Sequence, residues 1–395
     1  MLQAGQSSLD PSFRRTSETL VAGAKTPPQK YFVSPDIFEQ EQARVFSTQW
    51  LLVGHQNQIA KPGEFLVNEV AGESLIVIRD KNGEIHGFFN VCRHRGTRLI
   101  EDGSGHASAI QCPYHAWTYG LDGRLIGAPH MDEVPGFDKA DYSLRAVNLE
   151  IWEGFIFANL AGKEAATNGS DYKSLEDWFA PLKGKFSKWN MAFLRSAKRI
   201  EYDVRANWKL MFENYSECYH CPGVHPQLQK VSPYDSVEND LTEGPFLGGF
   251  MRINKGAGLT MSGKACALAI EQEHPPSAGY GVTSEQEKLV FYYSIFPNML
   301  LSLHPEYMMV HQLWPKAPDR TLIVCDWFFH PEAFDRSDFK PEDAIEFWDM
   351  TNKQDWHMCE LSQHGIASRA YEPGPYSSRE SIPAAWDRYY LQAMR

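Results

Sequence analysis

The chain has 395 residues, 43% of them hydrophobic, which is enough for about two domains with buried cores. Its 50 acidic and 38 basic residues give a formal charge of −12, which argues against a nucleic-acid partner because the phosphate backbone would repel the chain. The N-terminus lacks a basic segment leading into an apolar one, and no later apolar run has the length of a membrane span, so we expect a soluble cytoplasmic protein.

The N-terminal segment, residues 1–32, is rich in Ser, Thr, Pro and Lys and has no hydrophobic periodicity. It predicts a tail with no fold of its own, which either lies over a neighbouring surface or is mobile. Ser34 and Pro35 then predict the start of a short helix, because proline is favoured in the first helical turn.

A small all-β domain is predicted over residues 33–165, which include this leading helix. From about Trp50 to Leu160, short β-rich segments alternate with turns such as those at 61–63, 80–83 and 121–123. Loops that follow such strands can present ligands because the sheet holds them rigidly.

A second, α+β domain is predicted over residues 166–395. Helices are predicted at 174–190, 206–219 and 341–362. The segments 288–315 and 320–331 are rich in aromatic and β-branched residues and predict consecutive strands of one antiparallel sheet. The expected fold class is therefore α+β, with a β-rich domain first.

Two Cys/His pairs lie in the predicted β domain: Cys92-x-His94 and Cys112-x-x-His115. Each pair supplies one thiolate and one imidazole. A Rieske [2Fe–2S] centre needs two Cys on one iron and two His on the other, which both spacings satisfy. A structural zinc ribbon, which accepts the same residues in any order and would make the protein an interaction module, is the alternative.

A second metal site is predicted around His220 and His225. The segment 207–226 predicts a helix that ends near Cys221, because Pro222 and Gly223 stop it. Two imidazoles across this break can converge on one ion, and a carboxylate would complete a facial triad that leaves iron open positions. Four carboxylates of the predicted helix 341–362 are candidates, and periodicity does not choose among them: Asp343, Asp349, Asp355 and Glu360.

The segments CRHRG at 92–96 and CPYHAW at 112–117 resemble the signature of the Rieske-type non-haem iron oxygenases, large subunit. The resemblance covers roughly residues 33–392 and implies a helix-grip catalytic domain behind the Rieske domain. It implies a [2Fe–2S] cluster on the two Cys/His pairs and mononuclear Fe(II) on His220, His225 and a carboxylate. Gln354-Asp355, with Glu360 five residues on, is similar to the family's third-ligand segment, which implies Asp355.

Glu217 and Asn214 are further site residues that the resemblance implies. In the predicted helix, Glu217 lies one turn before His220. The family usually has Asp here, which hydrogen-bonds to a Rieske histidine of the adjacent subunit in a head-to-tail trimer. A Glu within ENYSECYHC resembles the branch that acts on quaternary ammonium compounds such as carnitine, glycine betaine and stachydrine. Asn214 matches a family position near the iron.

The resemblance implies the terminal oxygenase component of a multicomponent monooxygenase that uses O2. Electrons would come from NAD(P)H through a separate flavin and iron–sulfur reductase, because the sequence has no Gly-rich dinucleotide fingerprint. We expect hydroxylation or oxidative demethylation of a small substrate such as a quaternary ammonium compound. An aromatic-acid ring-hydroxylating or O-demethylating oxygenase is the alternative. A Rieske electron carrier without oxygenase activity is an alternative of another class, although such a carrier needs little beyond the first domain.

The remaining cysteines are expected to be buried thiols, and several histidines have no partner spacing that sets them apart. These cysteines are Cys218, Cys221, Cys266, Cys325 and Cys359, and these histidines are His304, His311, His330, His357 and His364.

Overall fold

The computed structural model describes residues 12–101, 103–161, 172–267 and 289–395. The chain divides into a β unit, Gln42–Gly184, and an α+β unit that joins residues up to Glu41 with Lys185–Arg395. The domain bounds at 33–165 and 166–395 stay a prediction. Within the described ranges, no helix is both long enough and apolar enough to cross a membrane.

The helices of the described residues include one long helix and several short ones. The α-helices are α1 (Thr16–Thr19), α2 (Lys30–Val33), α3 (Pro35–Glu41), α4 (Leu175–Trp178), α5 (Trp208–Tyr215), α6 (Cys221–Val224), α7 (Pro226–Val231), α8 (Pro341–Ile366) and α9 (Ser381–Ala393). A π-helical turn follows α3 at Gln42–Phe46. The 3-10 turns are Gln56–Ile59, Met131–Glu133, Lys139–Tyr142, Ala180–Leu182, Ser187–Trp189, Met191–Phe193, Tyr234–Ser236 and Pro331–Asp335.

The β unit contains three antiparallel sheets, with strand orders β1-β10-β9, β4-β3-β2-β5 and β6-β7-β8. The strands are β1 (Leu51–His55), β2 (Glu64–Val70), β3 (Glu73–Arg79), β4 (Ile85–Phe89), β5 (Ser104–His106), β6 (Ile110–Gln111), β7 (Thr118–Tyr119), β8 (Leu125–Gly127), β9 (Asn148–Trp152) and β10 (Phe155–Asn159). The predicted turns at Gly83 and Gly123 join neighbouring strands, and both glycines have φ near +85°, at 90° and 81°. The predicted β-rich domain is therefore confirmed.

The α+β unit is built on one seven-stranded antiparallel sheet with the order β11-β17-β16-β15-β14-β13-β12. Its strands are β11 (Arg195–Val204), β12 (Glu238–Leu241), β13 (Phe246–Arg252), β14 (Leu289–Ile295), β15 (Met299–Leu303), β16 (Tyr307–Ala317) and β17 (Arg320–Phe329). The long helix α8 packs against α5 and β11. The α+β class, with a helix-grip arrangement of sheet and helices, is confirmed, as are the consecutive strands β14 to β17.

Two predicted helices differ from the observed ones, and one agrees. The helix predicted at 341–362 is confirmed as α8. The helix predicted at 174–190 is wrong: only α4 forms, and 3-10 turns follow because Pro181 removes a donor and Gly184 takes a left-handed φ of 73°. The helix predicted at 206–219 ends earlier, at Tyr215.

The N-terminal segment is ordered over its described part. Bridges pair Arg14 with Asn239 and Lys25 with Pro375. Backbone hydrogen bonds thus attach residues 12–32 to the α+β unit, which agrees with a tail that lies over a neighbouring surface and not with a mobile one. Residues 1–11 of the predicted tail lie outside the described residues.

The start of α5 is fixed by a buried ion pair. Lys209 Nζ lies 2.5 Å from Glu41 Oε1, and both side chains are fully buried. Glu41 also accepts hydrogen bonds from Trp208 Nε1 at 2.9 Å and from the Tyr390 hydroxyl at 2.5 Å. A buried charge needs such a set of partners. These bonds hold the helix that leads into the predicted iron site.

Candidate metal centres and substrate cavity

The two Cys/His loops, 92–97 and 112–117, have the same backbone hydrogen bonds. The N–H of Gly96 donates to the carbonyl of Cys92 at 3.0 Å, and that of Ala116 donates to Cys112 at 3.1 Å. Gly96 and Ala116 both have positive φ, at 77° and 56°. The main chain therefore folds each loop into a similar turn that buries the cysteine.

The four predicted cluster ligands lie together at the tips of these loops. The imidazole rings of His94 and His115 lie 4.7 Å apart between centroids. Cys92 and Cys112 are buried, and burial together with the neighbouring Cys112 thiol raises the pKa of the Cys92 thiol. The Cys92 sulfur accepts the backbone N–H of His94. His115 Nδ1 is buried and, within the described part of the chain, has no hydrogen-bond partner. Two adjacent sulfurs and an unpartnered imidazole nitrogen fit the donor set of a Rieske cluster.

Tyr119 adds a further contact to the first sulfur. Its hydroxyl oxygen accepts the N–H of Arg93 at 3.0 Å and lies 3.3 Å from Cys92 Sγ. Because the oxygen accepts from Arg93, the hydroxyl hydrogen is available to the sulfur. Hydrogen bonds to sulfur tune the reduction potential of an iron–sulfur cluster.

The predicted iron ligands His220, His225 and Asp355 meet in the α+β unit. The two Nε2 atoms are 3.2 Å apart. Asp355 Oδ1 lies 2.8 Å from His225 Nε2 and 3.2 Å from His220 Nε2. Two imidazoles and one carboxylate within this distance form the donor set of a two-His-one-carboxylate site for non-haem iron.

The other candidate carboxylates of α8 have partners elsewhere. Asp343 accepts from Ser262, Glu360 accepts from the N–H of Arg205, and Asp349 accepts from the Tyr202 hydroxyl and pairs with Lys353. The structure therefore brings Asp355, and not these three residues, to the histidine pair.

The second nitrogen of each iron-site histidine faces a side-chain acceptor. His220 Nδ1 lies 2.6 Å from Glu217 Oε1, and His225 Nδ1 lies 2.8 Å from Gln354 Oε1. An Nδ1–H that donates to such an acceptor leaves the Nε2 lone pair free, which is the tautomer that a metal requires. The sequence analysis missed Gln354 as a histidine partner, although it adjoins the predicted ligand Asp355.

The chain leaves the helix before Glu217, so the predicted helix to Cys221 is wrong. α5 ends at Tyr215. The Glu217 carboxylate accepts the backbone N–H groups of Tyr219 and His220, the latter at 3.2 Å. A side chain that binds nearby backbone donors competes with the helix for them. Pro222 then lies in the first turn of the short helix α6 instead of stopping a long one.

The charges at this site depend on one another. Burial alone would raise the pKa of Asp355, but hydrogen bonds from His220 and His225 lower it to about 2. Burial alone would lower the pKa of His220, but hydrogen bonds to Asp355 and Glu217 raise it to about 10. The carboxylates thus favour a positive charge at the histidine pair, and a divalent cation would replace the bound proton.

Cys218 and Cys221 form a disulfide with Cα atoms 5.0 Å apart, so the expectation of thiols at these positions is wrong. The other cysteines considered, Cys266, Cys325 and Cys359, are buried and free, as expected.

A cavity with about 810 Å³ of empty space, counting its opening toward solvent, lies beside the histidine pair. Glu217 and Asp355 are the acidic residues of its described lining, which contains no Lys or Arg. Asn214, predicted to lie near the iron, lines it as well. The other lining residues include the aromatic side chains of Tyr215, Phe250, Tyr292, Trp348 and Trp356.

The helix and the sheet each present a regular set of residues to this cavity. On α8 the lining positions follow the i, i+3, i+4, i+7, i+8 spacing of one helical face and are Trp348, Thr351, Asn352, Asp355 and Trp356. On β14 and β16 they alternate along the strand and are Tyr292, Ser294, Met309 and His311. Polar residues at alternate positions of apolar strands were the signal that could have indicated these positions.

Comparisons with known proteins agree with this arrangement. Residues 49–138 match the Rieske [2Fe-2S] domain, and residues 191–395 match the family described as Ring hydroxylating alpha subunit (catalytic domain). The glycine betaine monooxygenase oxygenase subunit of Chromohalobacter salexigens is 31% identical over 386 residues, covering 89% of this chain and 81% of that protein. The carnitine monooxygenase oxygenase subunit of Acinetobacter baumannii is 30% identical over 358 residues, covering 88% and 87%.

A solved structure extends the likeness to the whole fold. It is a quaternary ammonium Rieske monooxygenase described for carnitine oxidation and inter-subunit electron transfer. The TM-score is 0.78 at 25% identity, over 97% of this chain and 100% of that one. The cofactors are accordingly a Rieske [2Fe–2S] cluster and a mononuclear non-haem iron. The chain belongs to the Rieske-type ring-hydroxylating oxygenases, as an alpha subunit.

Proposed function

We propose that this oxygenase subunit oxidises a small quaternary ammonium compound at a carbon bonded to the nitrogen. The observation that carries the proposal is the cavity beside the histidine pair, where aromatic rings and carboxylates are combined with no Lys or Arg in the described lining. A quaternary ammonium has no N–H to donate, so it is recognised by aromatic faces and negative charge.

The aromatic side chains are grouped around Tyr292. Its ring centroid lies 6.0 Å from that of Tyr215 and 6.3 Å from that of Trp348. Rings at such spacings can surround a methylammonium group, and Glu217 and Asp355 add negative charge on the metal side. An aromatic acid has no cationic group for these rings and carboxylates to bind. The relatives named for glycine betaine and carnitine support the same substrate class.

The predicted ligands keep their roles in this proposal. Cys92, His94, Cys112 and His115 would hold the cluster, and His220, His225 and Asp355 would hold Fe(II). When bound, the two groups supply single electrons and the activation of O2. Glu217 and Gln354 hold the Nδ1 protons of the iron-site histidines, which orients both imidazoles before the metal binds.

Glu217 is also proposed to receive a Rieske histidine, His94 or His115, of an adjacent subunit in a homotrimer. Oε1 faces His220, and Oε2 accepts backbone N–H groups. Oε2 already accepts two N–H groups, but Oε1 has a second lone pair, so one more donor can be accommodated there. The solved relative described for inter-subunit electron transfer supports this arrangement. Electrons are proposed to reach the cluster from NAD(P)H through a separate flavin and iron–sulfur reductase.

The proposed reaction consumes O2, two electrons and two protons. One oxygen atom enters a C–H bond of a carbon attached to the nitrogen, and the other leaves as water. The resulting N–C–OH group then breaks between nitrogen and carbon. The hydroxyl proton passes to the nitrogen, and the carbon leaves as an aldehyde, which is formaldehyde where an N-methyl group reacts.

Reductase-coupled turnover on a panel of substrates tests this function. The panel contains glycine betaine, carnitine, choline, benzoate and an O-methylated benzoate, with NADH use and product both measured. We expect NADH use coupled to an aldehyde and a less substituted amine for at least one ammonium compound. Product from the aromatic acids alone would refute the proposal and favour a ring-hydroxylating or O-demethylating oxygenase.

A further inference from the structure

His311 is a buried histidine of the cavity that the metal centres do not use. It lies on β16, is 1% exposed and lines the cavity two residues after Met309. Its Nε2 faces Asn352 Oδ1 at 3.3 Å. Its Nδ1 is buried and has no hydrogen-bond partner in the described residues.

A chain of directional hydrogen bonds fixes which nitrogen of His311 carries the proton. The Tyr202 hydroxyl donates to Asp349 Oδ1 at 2.9 Å, and Lys353 Nζ holds the other carboxylate oxygen at 2.6 Å. The hydroxyl hydrogen is thereby used, so the Tyr202 oxygen accepts from Asn352 Nδ2 at 3.4 Å. Asn352 must then present its oxygen to His311.

An amide oxygen accepts hydrogen bonds only, so His311 Nε2 must be the N–H nitrogen. In the neutral imidazole, Nδ1 is then an unprotonated acceptor. Burial lowers the pKa of His311 to about 4, and the hydrogen bond to Asn352 and the charge of Asp355 oppose this only in part. His311, a lining residue of the cavity, thus has one acceptor nitrogen of fixed tautomer with no protein donor in the described residues.

We propose that His311 Nδ1 accepts a hydrogen bond from a hydroxyl group of the substrate, so that the cavity selects hydroxyl-bearing quaternary ammonium compounds over those without a donor. This inference rests on the proposed function and narrows its substrate class. A lone-pair nitrogen repels a carboxylate oxygen, and a trimethylammonium group has no N–H or O–H to offer it. Among the groups that such small molecules carry, a hydroxyl is the one that can donate a hydrogen bond to His311 Nδ1.

Binding of matched ligand pairs tests the inference without turnover. The first pair is carnitine and its 3-deoxy analogue, 4-trimethylammoniobutanoate, which differ by one hydroxyl. The second is choline and n-propyltrimethylammonium. Dissociation constants are measured by calorimetry on the oxidised holoenzyme without reductase. In at least one pair, we expect the hydroxylated member to bind about five- to tenfold more tightly, the range of one buried neutral hydrogen bond.

In His311→Phe this preference should fall to within about twofold of unity, because the ring remains and the acceptor is lost. Tyr202 is a positioning residue. In Tyr202→Phe the Asn352 amide is free to turn and the tautomer is no longer fixed, so the preference should also fall. Tyr293→Phe is the matched control: it removes a buried hydroxyl bonded to Asp240 at 3.2 Å, outside the chain to His311, and should keep the preference.

The outcomes separate the two claims. Equal binding within both pairs in the wild type overturns the role of His311 and leaves the proposed function in place. If the wild-type preference survives in His311→Phe, the role of His311 is overturned as well. If His311→Phe does not fold, a preference that survives in Tyr202→Phe overturns that role instead. If no member of either pair binds, the inference fails, and the coupled panel, which also contains glycine betaine, decides the proposed substrate class.

Discussion

The two predicted metal centres hold their histidines by different means. In the Cys/His loops, main-chain hydrogen bonds within six residues shape the turn, and the His94 side chain is exposed. In the iron site, His225 is 1% exposed, and the residue that holds its Nδ1, Gln354, is 129 positions away in sequence. The first site is built locally by backbone, and the second is assembled by side chains from remote segments.

This difference predicts how each centre fails. A site built by backbone depends mainly on its ligands, because the turn persists when other side chains change. A site oriented by side chains should also lose function in steps as those partners are removed. Substitutions can therefore impair one metal centre while the other stays intact.

Asp355→Ala should have the largest effect on the iron site. Removal of the carboxylate should cost the mononuclear iron and all oxygenation, while the Rieske EPR signal persists because the cluster ligands lie in the other unit. Iron analysis should fall from about three to about two per chain. Glu360→Ala, on the same helix but bonded to Arg205 N–H, is the control and should keep the iron. Retention of the iron in Asp355→Ala would reject this ligand assignment.

Cys92→Ser should remove the cluster and leave the mononuclear iron. Cys92 is buried and its sulfur has no substitute in the loop, so the red-brown colour and the Rieske signal should both be lost. Cys266→Ser changes a buried thiol of the other unit and should leave the colour unchanged. A fully coloured Cys92→Ser protein would show that this cysteine is not a ligand.

Glu217→Ala should block electron transfer from the cluster to the iron site while both metals stay bound. We expect product formation to fall by roughly a hundredfold or more, because the imidazole of His220 loses its Nδ1 acceptor and the proposed link to the neighbouring cluster is lost. Glu217→Asp should keep part of the activity, since Asp is the usual residue of the family. The measurement is single turnover of pre-reduced enzyme, with cluster reoxidation followed optically. Wild-type reoxidation and product yield in Glu217→Ala would contradict the bridging role.

Gln354→Leu should have the smallest effect. The substitution removes the acceptor 2.8 Å from His225 Nδ1, and we expect iron affinity to fall by about tenfold without a change in the Rieske signal. Gln354→Glu keeps an acceptor oxygen and should restore most of the affinity. Equal iron affinity in wild type and Gln354→Leu would mean that His225 is held by other contacts.

The contrast between a site built within short segments and a site assembled from remote segments also explains what could be predicted from the sequence. The Cys/His loops, the consecutive strands β14 to β17 and the helix α8 follow from spacing and periodicity in short segments. Asp355 does not follow in this way: periodicity did not choose among the four candidate carboxylates of α8, and only the resemblance to the family singled out Asp355. Its position is fixed by packing against His220 and His225, which periodicity does not encode.

The missed features share a dependence on side-chain contacts. α5 ends at Tyr215 because the Glu217 carboxylate takes two backbone N–H groups, and helix propensity gives no sign of this competition. The disulfide of Cys218 and Cys221 lies just beyond this helix end. His311 became a candidate only when its partner Asn352 and the donor direction of Tyr202 were known.

Single turnover with a quaternary ammonium compound tests the central claim most directly. Wild-type enzyme is reduced, freed of excess reductant and exposed to O2 with the substrate that the coupled panel identifies. We predict that the cluster reoxidises and that the aldehyde and the less substituted amine form in proportion, while Asp355→Ala gives neither product. Cluster reoxidation in the wild type with no oxidised ammonium product, or product from aromatic acids alone, would contradict this account.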